Sequence, residues 1–192
     1  MQILEKTKNE IESKAQTMSD FLRMEYLELC SKKFNDIDTL RYCNKELAVL
    51  YEKKFMYPEA LKYLSKLKRI AILKKDKIES IFKEIEMLIK SGSYDKADLM
   101  FLEDIRVLDE SERFELKRKV IEFYYCEIKN FEKFSKHANL LKVYKSLISY
   151  VRDDEVNQIK KRMIESYKRL GKVRESLILE KQLERNNQIE FV

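Results

Sequence analysis

Three thiols, one imidazole and a run of ammoniums stand out from a background crowded with carboxylates. The thiols are Cys30, Cys43 and Cys126, and the single histidine is His137. A Cys–His nucleophilic pair, Cys126 with His137 for instance, needs the imidazole to take the thiol's proton, and no other feature supports one. The odd cysteine count at scattered positions is not a disulfide framework, and there is no CxxC pair. One histidine without a close cysteine pair leaves a structural zinc site short of ligands. Each thiol sits among apolar residues at helical spacing, so all three are expected to be small buried side chains in a reducing compartment. The 34 Asp and Glu residues are plentiful, but no pair rises above the charge background as a general acid and base. No catalytic residue, metal or cofactor is therefore expected.

The ammoniums are more pointed. Lys62, Lys66, Lys68, Arg69, Lys74, Lys75 and Lys77 face Asp76 alone within residues 62–77, which places the whole formal charge of +6 in one segment. Elsewhere Glu and Lys alternate at helical neighbour spacing, the pattern of a solvated helix face. A basic segment of this kind can meet acidic protein, phosphate or nucleic acid. Lys62, Lys66 and Arg69 share one face, opposite Leu61, Leu64 and Leu67. No exposed aromatics are interleaved and no RNA-binding motif is present, so a solvated outer face is the plain reading. A nucleic-acid-associated accessory role is the alternative.

The elements that must position these residues follow from composition. The 192 residues contain 2 Gly and 1 Pro, where ordinary usage would give about 23. A P-loop or a dinucleotide-binding turn cannot be written with so few glycines, and many-stranded folds lack their turn residues. An all-α chain is expected. Its longest apolar run is Leu47–Tyr51, far short of the roughly 20 residues of a spanning helix. The N-terminus has no apolar stretch of the secretory kind. A cytoplasmic location without a membrane partner is the expectation.

Apolar residues recur at steps of three and four along most of the chain. Leu4, Ile11, Ala15, Met18, Leu22 and Leu29 form a near-heptad seam. Residues 1–34 are read as one long helix, or as two with a break at Thr17–Asp20, where Ser19 or Asp20 would cap. This segment could cap the remaining helices, fill a groove or pair with a second copy as a homodimer. Asp38 is expected to cap the next helix. Asp76–Glu79 and Asp109–Glu112 resemble capping boxes, and Arg152–Glu155 opens a helix with acidic residues favoured by the dipole.

Residues 35–192 carry a repeat. Leu47–Leu67, Glu84–Ile105 and Met163–Leu183 each show an apolar helix end, a short turn and a second helix with an early small residue. A weaker copy starts at Tyr124. The small residues are Ala60, Ala97, Ala138 and Ser176, spaced 37, 41 and 38 apart. Gly92, Gly171 and Pro58 all fall in these turns, where a left-handed helix end or a helix start requires them.

This pattern resembles the tetratricopeptide repeat, in a divergent form. Gly92-Ser93-Tyr94-Asp95-Lys96-Ala97 followed by Phe101 is the best match. Tyr57-Pro58-Glu59-Ala60, after Ala48 and Tyr51, is a second, and Tyr167, Gly171 and Ser176 make a third. The resemblance implies a right-handed α-solenoid of about four helical hairpins with an N-terminal helical extension. It also implies a scaffold or adaptor function, with a protein or peptide partner held on a concave wall lined by the first helices. By the alignment, that wall comprises Tyr42, Lys45 and Val49, then Glu79, Lys83 and Glu86. It continues with Val120, Tyr124 and Glu127, and ends with Gln158, Lys161, Arg162 and Glu165. A clamp for acidic chaperone tails is not expected, because Val49 stands where that clamp needs Asn and Lys alternates with Glu.

Overall fold

The computed structural model describes residues 3–189, with side chains described through Glu184. Among the described residues there are ten α-helices and no strand. The chain divides into two compact units, 1–91 and 92–192. No helix among the described residues is long and apolar enough to cross a membrane.

The first unit contains α1 (Lys8–Gln16), α2 (Asp20–Lys33), α3 (Ile37–Lys53), α4 (Tyr57–Ile70) and α5 (Lys74–Lys90). Each helix packs on the next through α4 and α5, except that α1 also touches α3. The N-terminal segment is thus two helices, broken at Thr17–Ser19, with Ser19 at the start of α2. The break resets the apolar phase. Ile11 and Ala15 of α1 are buried, but on α2 the inward face is Met24, Tyr26, Leu27 and Cys30, and Leu22 of the seam stays exposed. These side chains share one core with Cys43, Leu47, Leu50, Tyr51, Ala60, Tyr63 and Leu64. The N-terminal helices are therefore part of that core, which leaves the surface of α3 that faces α5 open.

The second unit contains α6 (Tyr94–Asp104), a 3₁₀ turn (Ile105–Val107), α7 (Glu110–Lys133), α8 (His137–Leu147), α9 (Asp153–Arg169) and α10 (Val173–Ile189). Here α7 packs on α8, α8 on α6 and α9, and α9 on α10. Asp98 of α6 organises the interior. Its Oδ1 accepts hydrogen bonds from the Tyr124 phenol at 2.9 Å and the Tyr150 phenol at 2.6 Å. The Tyr150 ring meets Phe101 edge-on at 5.0 Å and Tyr124 at 5.6 Å. A carboxylate with two phenol donors meets its hydrogen-bond needs at modest cost, because neither partner leaves a polar atom unpaired.

The turns carry the repeat most plainly. Three-residue connections follow α3, α5, α7 and α9, and the middle residue of each has positive φ: Phe55 (59°), Gly92 (75°), Ser135 (50°) and Gly171 (69°). At Phe55, Ser135 and Gly171 the hydrogen bonds are those of a Schellman end. Met56, Lys136 and Lys172 each donate their N–H to the carbonyl five residues back, of Tyr51, Phe131 and Tyr167, at 2.9 Å.

Several local expectations change. Asp36, not Asp38, caps α3, its side chain accepting the Thr39 N–H at 2.8 Å. Asp76 caps nothing: α5 begins two residues earlier, after Leu73, and Asp76 turns to Arg41. The Asp109–Glu112 capping box is present with both bonds at 2.9 Å. Cys30 and Cys43 are buried, but Cys126 is exposed on α7. Ala138 is exposed as well, and Leu140 occupies the fourth position of α8, where Ala60, Ala97 and Ser176 sit in their helices.

Candidate partner-binding groove

A cleft of about 410 Å³ opens in the first unit between α3 and α5, over α4. Five of the wall residues expected from the sequence meet there: Tyr42, Lys45 and Val49 from α3, and Glu79 and Lys83 from α5. Leu64, Leu67 and Ala71 supply the apolar floor. Val49 is 53% exposed, an aliphatic side chain held open about one turn from Glu52 on the α3 wall.

Two ion pairs set the groove's width. Arg41 of α3 meets Asp76 of α5 at one end. At the other, Lys90 Nζ lies 2.6 Å from Glu52 Oε1 and 2.6 Å from Glu86 Oε1. Burial disfavours charge on Glu86, yet hydrogen bonds from Lys83 and Lys90 outweigh it and hold the carboxyl below its ordinary range. Glu86 therefore serves the frame and does not line the cleft. Burial likewise pushes the Tyr42 phenol up, which keeps it neutral.

With these pairs satisfied, Lys8, Asp38, Lys45 and Glu79 are the charged lining residues with no ion pair among the described residues. The groove thus presents free charge of both signs, over an apolar floor. That suits recognition of a peptide with mixed charge and leaves no concentrated field for a single anion. Among the described residues no group of three or more His, Cys, Asp or Glu side chains is arranged to hold a metal.

The second unit treats its candidates differently. Val120 and Tyr124 are fully buried and Glu127 is 9% exposed, so these three residues of α7 belong to the interior and line no open wall. The cause is a slip of one or two residues. Aligning on Ala138 places the α7 residues one or two positions too early, whereas aligning on the left-handed turn residue Ser135 makes Glu122, Tyr125 and Lys129 the counterparts of Tyr42, Lys45 and Val49. Glu122 and Lys129 are exposed and Tyr125 is half-buried. The same rule puts Gln158, Lys161, Arg162 and Glu165 on the exposed side of α9, where all four lie. The signal was available at Phe131, which matches Tyr51 and Tyr167 four residues before the turn residue.

The basic segment does not form one surface. Lys68 turns to the buried carboxylate of Glu84 at 3.2 Å. Lys62 and Lys66 lie over the Tyr63 ring, with Nζ 5.8 and 4.8 Å from its centroid. Arg69, Lys75 and Lys77 are exposed, as is Lys74, which has an interaction of its own. Asp76 inside the segment is held by Arg41.

No protein-family model matches the chain, and no curated protein matches it at a significant level.

Proposed function

We propose that this chain is a non-enzymatic adaptor. In this reading it is a tetratricopeptide-like helical-repeat protein of the cytoplasm, its hairpins stacked as a right-handed solenoid. It holds an extended peptide or a partner's helix between α3 and α5. The observation that carries the reading is the cleft that gathers Tyr42, Lys45, Val49, Glu79 and Lys83. Its α3 wall runs from Asp38 to Glu52, about 21 Å at helical rise. An extended segment of roughly six residues spans that distance. The exposed Val49 side chain gives such a segment an anchor, and Lys45 and Glu79 set its direction through opposite charges.

The test is capture of a partner from native lysate at moderate salt, with wild-type chain beside Val49→Asp and a Lys45→Glu, Glu79→Lys pair. All three positions are exposed, so folding should survive. A discrete protein held by the wild type and lost from both variants supports the groove. Retention by both variants sinks it.

A further inference from the structure

We propose that Lys32 of α2 with Lys62 and Lys66 of α4 forms a second site, which binds a compact phosphoryl anion carrying two or more charges. None of the three lines the α3/α5 groove.

The platform is a buried pair of stacked rings. The Tyr63 ring is 4% exposed and stacks on Tyr51 at 5.5 Å, with the planes 9° apart. Both phenols donate to Glu28 Oε1 of α2, at 2.6 Å from Tyr51 and 2.8 Å from Tyr63. Lys62 and Lys66, one helical turn apart, both approach this one ring, within 5.8 and 4.8 Å of its centroid. A cation over a ring is held in place without losing its charge to a carboxylate. Lys32 follows Glu28 by one turn on α2, and its charge acts on both Glu28 and Lys66.

Among the described residues none of the three ammoniums has an ion pair, while Lys14, Lys53, Lys54, Lys68 and Lys90 in the same unit all have one. The carboxylate beside them, Glu28, already spends one oxygen on two phenols. Burial lowers the Lys66 ammonium's pKa and repulsion from Lys62 and Lys32 adds to this, while the Glu28 carboxylate opposes it. A bound dianion would relieve that repulsion. Lysine suits this task as a point-charge donor to phosphate. The three charges sit on α2 and α4, joined through Glu28 and Tyr63, and not along a track, so a small ligand fits better than a nucleic-acid backbone.

The probe is inorganic pyrophosphate, titrated calorimetrically into the full chain at low salt. One saturable site is expected. Lys66→Gln should weaken it roughly tenfold, the strength of one charge-assisted contact. The Lys32, Lys62 and Lys66 triple Gln variant should abolish it. Lys75→Gln with Lys77→Gln should leave it unchanged, and the Lys66 ammonium should titrate at higher pH when pyrophosphate is bound. A parallel arm with phosphatidic acid vesicles tells a lipid headgroup from a free anion; a loss of vesicle binding in the triple variant supports the site equally. Absence of saturation overturns the proposal, as does equal weakening by the Lys75 and Lys77 changes. A single-stranded oligonucleotide that outcompetes pyrophosphate and depends on Lys75 and Lys77 overturns it in favour of a nucleic-acid surface.

Discussion

Lys90 and Glu52 are 38 residues apart in the chain and 2.6 Å apart in space. Arg41 and Asp76, 35 apart, meet near the other end of the same two helices. Both separations are close to one repeat, so α3 and α5 run parallel and nearly in register. The groove between them is a consequence of that register, because residues such as Lys45 and Lys83 then face across the same gap.

The two pairs should contribute separately. Each is about one-third exposed, so solvent screens it, and Glu52→Gln or Arg41→Met should cost about 0.5–1 kcal/mol. The pairs lie far enough apart to add in the double variant. Urea unfolding measures this. A double variant far less stable than the sum would mean that the helices separate together.

The left-handed turn residues make a sharper prediction. A non-glycine residue at positive φ stores roughly 1–2 kcal/mol. Ser135→Gly should therefore stabilise the protein by about 1 kcal/mol, reduced by the extra freedom of the unfolded chain. Gly92→Ala and Gly171→Ala should destabilise by a similar amount, about 1 kcal/mol. An added Cβ meets nothing within 4 Å at either glycine, so the cost is purely conformational. Denaturation midpoints that shift the other way would refute the turn assignment.

Glu28 should govern part of the acid sensitivity. Burial raises its pKa, but the Tyr51 and Tyr63 phenols, with Lys32 and Lys62, bring it below the ordinary 4.5. A carboxyl depressed in the folded state stabilises above its unfolded pKa, and that contribution disappears as pH falls through the folded value. Wild type should exceed Glu28→Gln in stability by a constant margin above about pH 5.5, and the margin should shrink on further acidification. A margin that grew towards low pH would contradict this placement.

Tyr124 and Lys129 separate interior from surface on α7. Tyr124→Ala removes a fully buried ring and its 2.9 Å bond to Asp98, at a cost of about 3–5 kcal/mol. Lys129→Ala, two residues beyond a candidate that proved buried, should stay within about 0.5 kcal/mol. Thermal melts of the two variants decide between the two alignments of this repeat.

Much of this was legible in the residues. Scarcity of Gly and Pro excluded most other fold classes, and the 3.6-residue periodicity marked the helices. Gly92, Gly171 and Pro58 located three of the four turns that carry a positive-φ residue, and the α3 and α5 wall residues followed from them. The turn after α7 was misplaced because Ser135 adopts positive φ without glycine's signature, leaving Ala138 as a false anchor. Cys126 was misjudged on other grounds: apolar neighbours along the chain suggested burial, but its position on α7 faces outward.

The sequence alone determined the class of the molecule, since helical periodicity and the absence of turn formers act locally and need no partner. Tertiary structure decided which lysines stand together. Lys62, Lys66 and Lys68 are neighbours in the chain, yet the first two lie over the Tyr63 ring and α5 takes the third through Glu84. It also decided that α1 and α2 join the core and leave the groove open, because the break at Thr17–Ser19 rotates the apolar face of α2 onto α3. Charge and burial depend on which helix arrives next to which, and that information lies in the packing of side chains distant in sequence.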